Sequence, residues 1–218
     1  MNSRDKILAR LNKWPVDKLQ PFPRSGDADI FLDYPGPGGS LLDIFTRQLT
    51  QLQGELRIAG SRKQAADYLH QFLKEFSRPS TLLHPSALLS EIISQNSGLK
   101  SWIDDTYQLN GDSISFAGYD CGITTADYLI ARSGSIILTS LSAGGRRLSV
   151  LPPVHIVIAE ERQIVPSLEE AFNLLKGKSV EWSYAVVITG PSRTSDIEKQ
   201  LVLGAHGPKR LVVIILRS

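Results

Sequence analysis

Residues 186–216, "VVITGPSRTSDIEKQLVLGAHGPKRLVVIIL", hold the segment on which the reading of the fold turns. Two β-branched apolar runs, "VVIT" and "RLVVIIL", flank a polar stretch, the pattern of strands buried on both faces in a parallel sheet. Gly190 and Pro191 end the first run sharply. Ser195 and Glu198 then fit the S-x-x-E capping pattern, and Gly204 suits the left-handed residue that closes a helix. The spacing therefore predicts a short helix over 195–203, between two buried strands.

The same alternation runs through the preceding sequence. "SLLDIFTRQLTQLQ" places Leu41, Leu42, Phe45 and Leu49 on one helical stripe, "ELRIA" reads as a strand, and Ser61 caps a helix in "SRKQAADYLHQFLKEF". Strand "TLLH" and helix "PSALLSEIIS" follow, and "VHIVIA" and "SLEEAFNLLK" form a further strand and helix. In "ADYLIARSGSIILTS", β-rich runs flank Ser133 and Gly134, the signature of a tight hairpin. The expected fold is α/β: a mainly parallel open sheet with helices on both faces and an inserted β-hairpin. Residues 1–40 differ, with a short amphipathic helix on Ile7, Leu8 and Leu11 and then Pro/Gly-rich text, including the flexible "PGPGG" at 35–39. They read as an N-terminal helix and linker ahead of a domain at 41–218.

Composition narrows the function. Lys and Arg total 24 against 22 Asp and Glu, a formal charge of +2, too weak a field to imply nucleic acid or an anionic membrane. Cys121 is the only cysteine, which excludes an internal disulfide framework, a thiolate zinc site and an iron-sulfur cluster held by this chain alone. No metal site is expected. No apolar run reaches membrane-spanning length, and the charged start "MNSRDKILARLNKW" leads into no signal region, so a soluble cytoplasmic protein is expected.

Candidate site residues fall in three places. A helix starting near Ser195 would aim free amides at the end of a strand, where an anion is favoured, with Ser192, Arg193, Thr194 and Asp196 around it; the same hydroxyls also serve simply as caps. Thr124 and Asp127, in "CGITTAD", offer a hydroxyl and a carboxylate to a polar substrate, or bond their own backbone. Gly144 lets the backbone approach a ligand and Arg146 supplies a fork for a carboxylate or phosphate, unless both form a solvated tip. His206, in "GAHGP", ranks above His155, which reads as a core residue. No catalytic residue is assigned.

Four stretches, "GITTAD", "LSVLPPVHIVI", "IVPSLEEA" and above all "ITGPSRTSDIEKQLVLGAHGP", resemble the LUD-domain family, specifically its lactate utilization protein C type. They follow the family's order through the C-terminal half. The resemblance implies a cytoplasmic bacterial component of L-lactate utilization, acting with iron-sulfur partner proteins that carry the clusters and together oxidise lactate to pyruvate. It also implies a fold like that of ribose-5-phosphate isomerase and the CoA transferases. One departure is the hairpin, where Arg132 stands in place of the family's usual Glu. The rival expectations are a stand-alone enzyme acting on a nucleotide or phosphorylated metabolite, motivated by fold analogy, and a non-catalytic assembly subunit, motivated by the N-terminal helix and linker.

Overall fold

A computed structural model describes residues 4, 6, 9, 39–76, 80–103, 105–106, 119–142, 147–177, 182–195, 201–203 and 207–217. The chain divides into two compact units, Met1–Gly38 and Gly39–Ser218. In the first, Arg4, Lys6 and Ala9 are helical; the apolar stripe and Pro/Gly-rich segment expected there lie outside the described residues.

The second unit is built on a six-stranded parallel sheet. Its strands are β1 (Glu55–Ala59), β2 (Thr81–Leu83), β3 (Asp105–Thr106), β4 (Cys121–Thr125), β7 (Val154–Glu160) and β12 (Arg210–Leu216), in the order β1-β12-β7-β4-β2-β3. The Val/Ile runs of β7 and β12 are buried along almost their whole length, because each lies between two other strands with both faces covered. A second, four-stranded sheet has the order β8-β5-β6-β9, from β5 (Tyr128–Ile130), β6 (Ser135–Thr139), β8 (Ile164–Val165) and β9 (Ala185–Ile188). The expected hairpin is β5–β6, turned at Gly134 with φ +63°.

Helices α1 (Leu41–Gln51), α2 (Arg62–Leu73), α3 (Ala87–Ser94) and α4 (Leu168–Lys176) each start at a serine, Ser40, Ser61, Ser86 and Ser167, whose hydroxyl accepts from a first-turn amide. One face of the parallel sheet buries Ile123, Ile156, Ile158, Val212 and Ile214 under α2 and α3. The other buries Val157, Ala159, Val213 and Ile215 against Phe45 and Leu49 of α1 and Leu129, Ile136 and Leu138 of the second sheet. The outer face of that sheet packs Ile130 and Ile137 on Ala171 and Leu175 of α4. Each fully buried Leu, Ile or Phe contributes about 1.5–3 kcal/mol.

Two expectations at the C-terminal segment are corrected. Strand 185–188 is not a buried strand of the parallel sheet but an edge of the second sheet, antiparallel to β6, with Val187 41% exposed. The helix expected over 195–203 is replaced at both ends by strands, β10 (Arg193–Ser195) pairing antiparallel with β11 (Leu201–Leu203). The β-prone Thr and Val at those ends find partners across the pair, and that non-local pairing overrides the local capping signal; residues 196–200 lie outside the described set.

Candidate functional site

Two of the three places singled out in the sequence come to opposite ends of the parallel sheet. Ser192 N donates to Pro208 O at 2.8 Å, and Lys209 N donates to Pro153 O, so Ser192 sits by the amino ends of β12 and β7. Asp127 follows the carboxyl end of β4. Arg193 and Thr194 lie in β10, whose backbone pairing removes the helix start that was to make an anion seat there. Gly144, Arg146, Asp196 and His206 lie outside the described residues.

Thr124 and Asp127 are occupied by the protein itself. Thr124 Oγ1 and His155 Nε2 share a hydrogen bond of 2.9 Å, with both side chains fully buried. Burial pushes the His155 imidazole down to about 3, so the ring is neutral. Asp127 Oδ2 accepts from Thr139 N at 2.8 Å and from Ser142 Oγ at 2.6 Å, tying the end of β6 to the β4–β5 junction. His84, just past β2, bonds through Nε2 to the carbonyl of Leu141 in the same turn. A carbonyl only accepts, so Nε2 carries the proton; burial lowers the imidazole's pKa, opposed by that bond. His84, Asp127, Thr139, Leu141 and Ser142 form one polar knot closing the hairpin.

One open space at the carboxyl edge lies at the ends of β1 and β12. A cavity of about 380 Å³ is lined by Gly60, Ser61, Arg62, Lys63, Gln95, Leu216 and Arg217. The sequence makes it directly. Ala59–Gly60–Ser61 turns from strand to helix, Ser61 Oγ accepts from Gln64 N, and Gln64 Oε1 accepts from Gly60 N. Of the first-turn amides, those of Arg62 and Lys63 have no partner among the described residues. Arg62 is paired with Glu91 at 2.6 Å and Arg217 with Glu161 at 3.6 Å, whereas Lys63 has no ion-pair partner among the described residues. Amides free among the described residues, the helix dipole and Lys63 line one cleft beside the glutamate-paired Arg62 and Arg217, and the arrangement favours a small anion. The strand–Gly–Ser–helix signal sought near Ser195 is thus realised at Gly60–Ser61. The string "IAGSRK" carries the same elements, Gly, Ser and Arg after an apolar strand, and was the signal from which this cleft was legible.

Cys121 Sγ is buried, and the thiol is pushed far up by burial and by Asp120, so it offers no thiolate. Among the described residues no three His, Cys, Asp or Glu side chains lie together as a metal site, and no helix is long and apolar enough to cross a membrane.

The fold and cleft define an α/β protein that presents its open site at the carboxyl edge of a parallel sheet. The LUD domain family pattern matches residues 42–216, and the chain belongs to that family. Relatives named Lactate utilization protein C include one from Halalkalibacterium halodurans, 39% identical over 103 residues, covering 45% of each chain. One from Anoxybacillus flavithermus is 28% identical over 183 residues, covering 81% of this chain and 80% of the relative. A third, Lactate utilization protein C 1 of Bacillus mycoides, is 40% identical over 110 residues, 48% of this chain and 47% of its own. In the first and third, the match therefore spans about half of the relative. The solved structure of a DUF162 family protein from Deinococcus radiodurans superposes with a TM-score of 0.58 at 19% identity, covering 81% of this chain and 96% of that one, which shows a shared fold.

Proposed function

We propose that this protein is the cluster-free component of a bacterial L-lactate utilization system, acting in the cytoplasm with iron-sulfur partner proteins to oxidise lactate to pyruvate. Its part is to hold the small carboxylate in the cleft at Gly60–Lys63. The names of its relatives support the pathway, and the single buried cysteine supports a division in which the electrons leave through partners. The observation that carries the reading is the cleft itself, where amides unpaired among the described residues meet Lys63 and Arg217 at the ends of two parallel strands.

Calorimetric titration of the full chain with L-lactate and with pyruvate tests the binding half. The double variant Lys63→Gln, Arg217→Gln is expected to weaken either anion about tenfold, the order of one charge-assisted contact. Unchanged affinity in the variant removes the cleft from the proposal. Deletion of the gene tests the pathway half, and undiminished growth on L-lactate counts against it.

The amides of Arg62 and Lys63, without a partner among the described residues, favour one second reading, since such amides also seat phosphate: a stand-alone enzyme on a nucleotide or phosphorylated metabolite. It predicts thermal stabilisation by sugar phosphates or nucleotides and none by lactate.

A further inference from the structure

A second cavity, of about 420 Å³, lies beside the end of β2 and is separate in its lining from the cationic cleft. It lies within the connection that leaves β2 and packs α3 on one face of the parallel sheet. Leu83 and Pro85 form its strand-end wall, and Ile93 of α3 and Ile103 after the 3-10 turn Ser97–Trp102 face them.

The lining has two kinds of surface. Ile93 and Ile103 pack on the core with one side and remain only half-buried, so the cavity keeps apolar surface in contact with water. At its edge stands Lys100, which has no ion-pair partner among the described residues, and Ser90 and Ser94 lie on the α3 side. Ser94 Oγ is already spent on Glu91 O at 2.6 Å. An ammonium unmatched among the described residues, beside apolar walls, is complementary to one negative charge carried on an apolar body.

We propose that this cavity binds an amphiphilic monocarboxylate, with its aliphatic tail against Leu83, Pro85, Ile93 and Ile103 and its carboxylate on Lys100. The inference is independent of the lactate reading, because the two cavities share no lining residue.

The test is calorimetry on the full chain with butanoate, hexanoate and octanoate, and with 1-octanol as the uncharged analogue. Affinity is expected to rise about tenfold for each added pair of methylenes as they leave water. Lys100→Met, a change at an exposed side chain, is expected to weaken octanoate about fivefold to tenfold and to leave 1-octanol unchanged; Ile93→Ser, checked for folding by circular dichroism, weakens both. Octanoate binding must survive Lys63→Gln, Arg217→Gln, which separates this result from the fate of the cationic cleft. The proposal is overturned by an absence of saturable binding, the result expected if a protein side chain is the true occupant. Affinity independent of chain length, or insensitive to Lys100→Met, overturns it equally, since either marks a nonspecific surface contact.

Discussion

Thr124 and His155 join adjacent strands by a hydrogen bond of 2.9 Å across a fully buried face, and the second ring nitrogen, Nδ1, has no partner among the described residues. A neutral imidazole is the only form this site tolerates.

Acid stability follows from that pair. The ordinary imidazole value is 6.5 and the folded value about 3, so below 6.5 the unfolded chain binds a proton that the folded chain refuses. This contribution to stability is complete above pH 6.5 and is lost as pH falls towards 3, at about 1.4 kcal/mol per pH unit for this one group. Urea unfolding across that interval should show the slope, and His155→Gln should flatten it. Thr124→Val, which strips the ring of its remaining partner, should cost about 1–3 kcal/mol at neutral pH.

Asp127 is expected to behave as a fastener. Asp127→Ala leaves Thr139 N without its carboxylate acceptor and frees Ser142, and should destabilise by about 2–3 kcal/mol with faster amide exchange at Thr139. Asp127→Asn keeps one acceptor oxygen and should recover part of the loss. Full loss of lactate binding in Asp127→Asn with stability intact would instead make this carboxylate a ligand contact.

Two glycines set limits that side chains cannot meet. At Gly134, φ is +63° and an added Cβ would lie 2.6 Å from Leu49 N, so Gly134→Ala should loosen α1 from the hairpin. At Gly122 an added Cβ would meet Leu148 O at 2.4 Å, a backbone atom that cannot step aside without moving the turn over β4. Each substitution should cost about 1–3 kcal/mol by strain and overpacking, read as a lowered melting temperature.

Arg210 grips Glu55 with two nitrogens, at 2.8 and 3.0 Å, reaches Glu75 at 3.3 Å, and lies 4.6 Å over the Phe72 ring. Those contacts hold the guanidinium's pKa above its usual range, the Glu55 hydrogen bonds first among the causes and burial opposing them. The side chains are more than a third exposed, which lowers the value of the charge pairing. Arg210→Lys, losing the fork and the stacking, should cost about 1 kcal/mol, or some 2–4 °C in melting temperature.

The elements legible in the sequence were those whose signals are local and agree with their burial. Ser61 before "RKQAADYLHQFL" predicts α2 because the cap and the spacing of Ala65, Ala66, Leu69, Phe72 and Leu73 specify one helix face, and that face is the one buried. The turn at Gly134 was legible for a similar reason. The segment after β9 was not. "AVVI" has the composition of a central strand, yet burial depends on how many neighbours a strand acquires, and β9 acquires one. "SDIE" carries a capping box, but its Ser195 is the last residue of β10 and pairs with Leu201 of β11.

The candidate site divides along the same line. Free amides at a strand-to-helix turn mark an anion seat, and the sequence contains that pattern at Gly60–Ser61 as well as at Gly190–Ser195. What places Arg217 beside Lys63 is the parallel pairing of β1 with β12, strands that open and close this unit.

The amino-acid sequence by itself determined the alternating α/β character, the Ser61 cap of α2, the hairpin and the LUD-domain kinship, because each rests on residues near one another in the chain. Only the tertiary structure decided that Thr124 and Asp127 serve the protein's interior, that β9 lies at an edge, and that the cationic cleft forms between the first strand and the last. Those outcomes depend on pairings between distant segments, whose energies no short stretch of sequence contains.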